Sequence, residues 1–316
     1  MSRRKYIRNN LFGPRYSQIL ILQAMKKEIS PSKPLIQYGW LRVLLYIIAF
    51  GITAVITIGV YKVLKPISNL NTQILQSLNP GVVILLLFGL SLLITFVFQR
   101  WIDRKSFISL GFSMHGHFQD AITGGSLAIF IIGAASLILK ATGYLKWMDI
   151  IFDSRAIFIA FGSIVLTAFA EELVFRGYML SNLMDSFPKW LALLISALLF
   201  MIFHWTTIGF FPLFNTLILG LILGLNYIYT RNLWFSVCFH IGWKFMAGPA
   251  LGFPGTVFSQ TLLQTDLQGD EMITGGTAGL EGSVIFMAIS LLSLIVLYLL
   301  YQKKLNPQSP PVPGRI

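Results

Sequence analysis

The sequence predicts an all-α polytopic integral membrane protein, a helical bundle of about eight transmembrane helices. Three observations predict it. Only 11% of the 316 residues are charged, against about 25% in a typical soluble domain. Hydrophobic residues make up 55% of the chain and the mean hydropathy is +0.74. Such a composition cannot cover a water-facing surface, which argues against a soluble globular enzyme, and it is far too apolar for disorder. Third, the net charge of +12 is unevenly spread, which on a chain this apolar reads as an orientation signal and not as a nucleic-acid surface.

A helix needs about 20 apolar residues to cross a bilayer. Eight segments are read as spans: 41–61, 81–99, 120–140, 156–182, 189–205, 213–230, 233–248 and 282–301. The first, second, third and eighth are the clearest apolar runs. The middle four are short or carry ionisable groups, so one of them is alternatively re-entrant, giving six or seven spans. The first run begins near Leu41, behind a long basic stretch, and is too long for the apolar region of a secretory signal.

The basic residues orient these spans. With both termini in the cytoplasm, seventeen of the 24 Lys and Arg fall on the inner side, nine of them from Arg3 to Arg42. The outer loop 249–281 has no Lys or Arg but contains Asp266, Asp270, Glu271 and Glu281. This is the positive-inside pattern. The domain reading is a basic cytoplasmic arm over 1–40, a membrane domain over 41–301 and a basic, Pro-rich cytoplasmic tail over 302–316. The expected location is a plasma membrane of bacterial type, the expected partners are the lipid bilayer and a peptide or membrane-protein substrate, and no nucleic acid is expected.

Ionisable side chains inside hydrocarbon are costly and need a reason. The middle spans hold nearly all of them: Glu171, Glu172, Arg176, His204, His240 and Lys244. On a helix, Glu172 and Arg176 are four apart and share a face. Glu171 is turned about 100° from Glu172 and is poorly placed for that arginine. Glu172 therefore reads as the partner of Arg176, and Glu171 as the freer carboxylate, available as general base or acid. His240 and Lys244 are also four apart. By rise along their helices, Glu171, His204 and His240 can meet in the middle of the membrane.

A Glu and a His can activate a water, and a second His with a neighbouring donor can stabilise an oxyanion. That is a peptide hydrolysis site. No Ser lies in a Gly-x-Ser-x-Gly context, so water is the expected nucleophile. Two His and one Glu are also legitimate ligands for a divalent metal such as zinc, through Glu171, His204 and His240. The residues alone leave direct water activation and metal both open, so the cofactor is unknown: none, or such a metal. The single cysteine, Cys238, permits no intramolecular disulfide and no Cys-based metal site.

In order, Glu171-Glu172-x-x-x-Arg176, then Phe200-x-x-x-His204, then His240 on a third helix resemble the CAAX protease and bacteriocin-processing family, the abortive-infection or type II CAAX prenyl endopeptidase-like intramembrane proteases. The likeness covers the motif core 156–248, with a weaker extension to the Gly-rich stretch 275–282. The resemblance implies an eight-helix membrane fold and an endopeptidase site open to the cytoplasm. It implies that Glu171 and His204 activate the water, that His240 and the residue four later form the oxyanion hole, and that Glu172 and Arg176 support the site. Members are described both as metalloproteases and as glutamate-type enzymes. One position departs: the third motif usually reads His-x-x-x-Asn or Asp, and here it ends in Lys244. A lysine can still donate to an oxyanion. It can also pair with Glu171, and its charge opposes a divalent metal.

Two other readings draw on the same residues. One is an inactive or altered family member acting as a membrane scaffold or immunity protein. The other is a proton-coupled transporter, against which stands the lack of an internal repeat. Of the remaining features, Gly220 and Gly224 read as a close-packing stripe. His115 and His117 read as an interfacial loop. Trp101, Trp147, Trp234 and Tyr301 suit an aromatic belt.

Overall fold

The computed structural model describes residues 33–67, 80–204, 209–256 and 261–305. Most of the expected basic arm over 1–40 and of the Pro-rich tail over 302–316 lies outside them. Each of the eight expected spans is helical: α1 (Gly39–Ile67), α2 (Pro80–Val97), α3 (Phe118–Ala141), α4 (Ser154–Leu183), α5 (Lys189–Phe203), α6 (Phe210–Thr230), α7 (Trp234–Phe245) and α8 (Val284–Leu305). The chain is an all-α polytopic membrane protein. Among the described residues, five helices are long and apolar enough to cross a membrane, the regions of α1, α3, α4, α6 and α8, whereas α2 with the turn after it, and α5, are shorter apolar helices. The 12 residues of α7 continue into a π-helical turn, Met246–Ala250.

One small element was not foreseen. Leu145–Ile150 (β1) pairs antiparallel with Leu263–Leu267 (β2), joining the loop before α4 to the loop after α7. This sheet closes one end of the bundle. At the other end, α1 begins against the end of α4, where the backbone N–H of Gly39 donates to Ser186 Oγ at 2.8 Å.

Small residues set the helix spacing around the middle of the bundle. A Cβ on Gly220 would stand 3.0 Å from Ala197 Cα, so the expected glycine stripe of α6 does lie against α5. Gly124 of α3 is pressed on the carbonyl of Phe235 in α7 with no room for a side chain. These contacts fix the depth and rotation of α5 and α7, the helices that carry the two intramembrane histidines. The most buried core surrounds them, with Tyr178, Ile222, Phe235 and Phe286 all fully enclosed.

Arg42 corrects one detail of the charge count. Taken with the cytoplasmic arm, it is instead within α1 and 1% exposed. Its guanidinium holds Asp103 directly and Asp185 at 2.9 Å. It ties the start of α1 to the end of α2 and the end of α4.

Candidate active site

The sequence reading treats α4 as a regular helix. The structure shows α-helix up to Glu172 and π-helix from Leu173 to Leu180, with every residue of the π stretch buried. π-Helical turns inside α-helices are uncommon and concentrate at functional sites. A widened turn frees backbone carbonyls, and neighbours take them up. Ser196 Oγ of α5 donates to the carbonyl of Phe175 at 3.1 Å. The tertiary packing, not the local sequence, thus supports the irregular turn.

The expected pair forms across this junction. Arg176 Nη1 donates to Glu172 Oε1 at 2.9 Å, with both side chains enclosed. The same guanidinium reaches the carbonyl of Gly220 at 3.3 Å and lies 4.3 Å from the Phe200 ring centroid. Buried charge is tolerated only when it is paired and hydrogen-bonded. Arg176 meets this condition with a carboxylate, a carbonyl and an aromatic face.

Two histidines come to the carboxylate pair from different helices. His204 sits at the end of α5, and its Nδ1 lies 2.9 Å from the carbonyl of Phe200. A carbonyl only accepts, so this nitrogen carries the hydrogen and Nε2 of the neutral ring holds a lone pair. His240 of α7 has Nδ1 2.8 Å from Glu172 Oε1. Glu172 Oε1 already accepts from Arg176, so this Nδ1 also donates to it, and Nε2 of the neutral ring again keeps its lone pair. Both Nε2 atoms turn to Glu171 Oε2, at 3.6 Å from His204 and 3.5 Å from His240. Glu171 Oε2 has no hydrogen-bond partner. Three acceptor atoms therefore converge on one small volume.

The other oxygen of Glu171 is occupied. Lys244 Nζ donates to Oε1 at 2.7 Å. Glu171 is thus not the uncompensated carboxylate of the helical-wheel argument, because the lysine that departs from the motif pairs with it. All six expected residues come together, in two layers. Glu172, Arg176 and His240 are 0%, 1% and 7% exposed, whereas Glu171, Lys244 and His204 are 20%, 28% and 29% exposed. The first three form a buried support and the last three face open space.

That space is divided. A cavity of about 280 Å³ ends on Glu171 and is otherwise almost wholly apolar, walled by Phe50 and Ala54 of α1, Phe88 of α2, Phe175 of α4 and Phe203 of α5. A smaller one of about 70 Å³ is lined by His204, His240 and Lys244 and also by Thr216, Trp243 and Glu281. Glu281 was missed as a site residue because it was counted in the outer loop. The Gly-rich likeness over 275–282 was the one sign of it. Its side chain accepts from Trp243 Nε1 at 3.2 Å, and Asn215 of α6 donates to its backbone carbonyl at 2.7 Å. His115 and His117 do not join the site; His117 pairs with Asp120 at 2.7 Å.

The residues fit a divalent metal poorly. Glu171, His204 and His240 offer the right atom types, but an ammonium group rests on the same carboxylate. Among the described residues no group of three or more His, Cys, Asp or Glu is arranged to hold a metal ion.

A comparison with family models matches the part of the chain that carries these motifs. Residues 153–246 match the Rce1-like family, the type II CAAX prenyl endopeptidases. No curated protein and no solved structure gave a match to the chain. The Rce1-like match runs from the start of α4 to the end of α7 and contains all six residues of the cluster, while Glu281 lies beyond it. The resemblance read from the three motifs is thereby met over the same helices. Together with the apolar helices, the Rce1-like match indicates an integral membrane protein and supports a CAAX-protease-like endopeptidase.

Proposed function

We propose that the chain is an intramembrane endopeptidase of the CAAX-protease-like type that hydrolyses a peptide bond with a water activated by Glu171 and His204. The observation that carries this reading is the convergence of Glu171 Oε2 with the Nε2 atoms of His204 and His240, at 3.6 and 3.5 Å from that oxygen. Three acceptors facing one point call for a hydrogen donor, and water supplies two hydrogens while keeping its own lone pair for attack.

In this reading Glu171 takes a proton from the water as its oxygen bonds to the substrate carbonyl carbon. His204 orients that water through Nε2. The carbonyl oxygen becomes an oxyanion, and the C–N bond then breaks as Glu171 returns the proton to the departing nitrogen. The products are a carboxylate and an amine. Lys244 is the oxyanion donor, since its ammonium has three N–H groups and Glu171 takes one. His240 can help from Nε2 only when its ring carries a second proton. Glu172 and Arg176 position His240 and the start of the π turn. No step is routed through a metal.

The test is cleavage of a peptide library by the protein reconstituted in lipid, beside Glu171→Ala and His204→Ala, with and without a strong chelator. Both variants are expected to lose turnover, and the chelator to change nothing. Equal turnover by all three proteins would overturn the reading. A second reading has its own observation: the Lys244–Glu171 ion pair at 2.7 Å occupies the base. It favours an altered, non-cleaving membrane protein, for which Lys244→Asn would raise cleavage from a low level. Cytoplasmic termini and the arm, membrane domain and tail division belong to the proposal as well, supported by the skew of the basic residues.

A further inference from the structure

Glu171 lines one cavity, and the three residues that reach it, His204, His240 and Lys244, line a second of different character. The larger is apolar and bounded by α1, α2, α4 and α5. The smaller lies behind the imidazoles, among α5, α6, α7 and the turn before α8. Its polar lining comprises His204, His240 and Lys244, each of which reaches Glu171, together with Thr216 and Glu281. Glu281 lies in the chain between β2 and α8. At about 70 Å³ the smaller cavity is a quarter of the apolar cavity's volume and suits a few waters, each needing about 10–15 Å³ of such space and two to four polar partners. The apolar cavity is roomy but gives water few partners.

We infer that the smaller cavity is a water passage, delivering the hydrolytic water to Glu171 from the Glu281 end, while the peptide occupies the apolar cavity on the other side of the carboxylate. Glu281 is a positioning residue in this scheme. One oxygen is held by the Trp243 indole, leaving the other for water entering this cavity. The inference rests on the hydrolysis reading for its purpose, though not for its geometry. It separates the two reactants: each approaches Glu171 through a different wall, so neither displaces the other.

The experiment has two arms. In the first, Cys238→Ser protein in sealed vesicles receives Thr216→Cys or Ala54→Cys, one in each cavity, and silver ion is added from one side. Free thiol is then titrated after denaturation. Silver added from the side of Gln268→Cys, a control in the β2 loop, is expected to consume the Thr216→Cys thiol and spare Ala54→Cys. The reverse pattern, or an untouched Thr216→Cys, overturns the passage. This arm needs no catalysis, so it stands or falls apart from the hydrolysis reading. In the second arm, Thr216→Phe fills the passage and Glu281→Leu blocks its mouth. Each is expected to lower kcat about tenfold with KM within about twofold. Glu281→Gln, which still binds water, is expected to restore most of the rate. A change in KM with kcat intact would overturn the assignment, because it would put the peptide in this cavity. Loss of cleavage in Glu171→Ala, measured alongside, tells whether the hydrolysis reading itself has failed.

Discussion

Two buried arginines make an instructive pair. Arg42, at the end of the bundle, and Arg176, in its middle, are each 1% exposed and each held by carboxylates. Around Arg42, Asp103 is 1% exposed and Asp185 also takes Lys105 at 3.4 Å, so three segments are tied together, and none of these charges lines either of the two cavities. Around Arg176, the neighbouring Glu171 is 20% exposed, opens onto a cavity and is faced by two imidazole lone pairs. Charge in a membrane protein is therefore not by itself a sign of chemistry. Asp103 Oδ2 in the tie is unpartnered as well, so it is access, together with two imidazoles converging on one carboxylate, that distinguishes the reactive cluster from the tie.

The largest effect expected from this contrast is at Glu171. Glu171→Ala should lower peptide turnover by about 10²–10⁴-fold, as for loss of a general base, while thermal unfolding stays close to the parent. A folded variant with unchanged turnover would place both clusters in the structural class. Arg42→Met should do the opposite. Leaving Asp103 buried without its partner costs about 3–5 kcal/mol, read as a lowered unfolding midpoint in detergent or lipid. The fraction that folds should cleave at near the parent rate. If turnover per folded molecule collapses instead, the tie also shapes the site.

Much of this was legible in the sequence, for reasons that particular residues show. The eight helices follow from apolar runs long enough to outweigh the cost of their few charges. The Glu172–Arg176 pair followed from four-residue spacing, which survives the change from α to π winding. The π turn itself was not legible. It depends on Ser196 of α5 accepting the burden of a freed carbonyl, a contact between residues 21 apart. β1–β2 pairing was hidden for the same reason, since its strands are separated by four helices. Arg42 looked like one more tail charge because Asp103 and Asp185 are distant in sequence. Glu281 looked like a loop residue until Trp243 and Asn215 fixed it beside Lys244.

Lys244 sharpens the comparison further, because it makes the reactive cluster resemble the tie. Lys244→Met should lower kcat about 10²-fold if the ammonium is the oxyanion donor. Lys244→Asn retains a neutral donor and should remain within about tenfold of the parent on the same argument. A rise above the parent rate would mean that the ion pair with Glu171 holds the site back. The smallest effect belongs to the outer edge of the tie. Lys105 and Asp185 are 37% and 34% exposed, and Lys105→Ala should change stability by less than about 1 kcal/mol, as exposed pairs do. Measuring that variant against Arg42→Met would show how much of the tie is in its buried half.

The brevity of α5 has a consequence for the lipid. Its 15 residues rise only about 22 Å at 1.5 Å per residue, against a hydrocarbon core about 30 Å thick. A helix this short beside full-length neighbours favours a locally thinned bilayer. Thinning would bring the water boundary closer to His204, which ends that helix. Acyl chain length should then act as a control on this protein, with shorter-chain bilayers easing the mismatch and longer-chain bilayers opposing it.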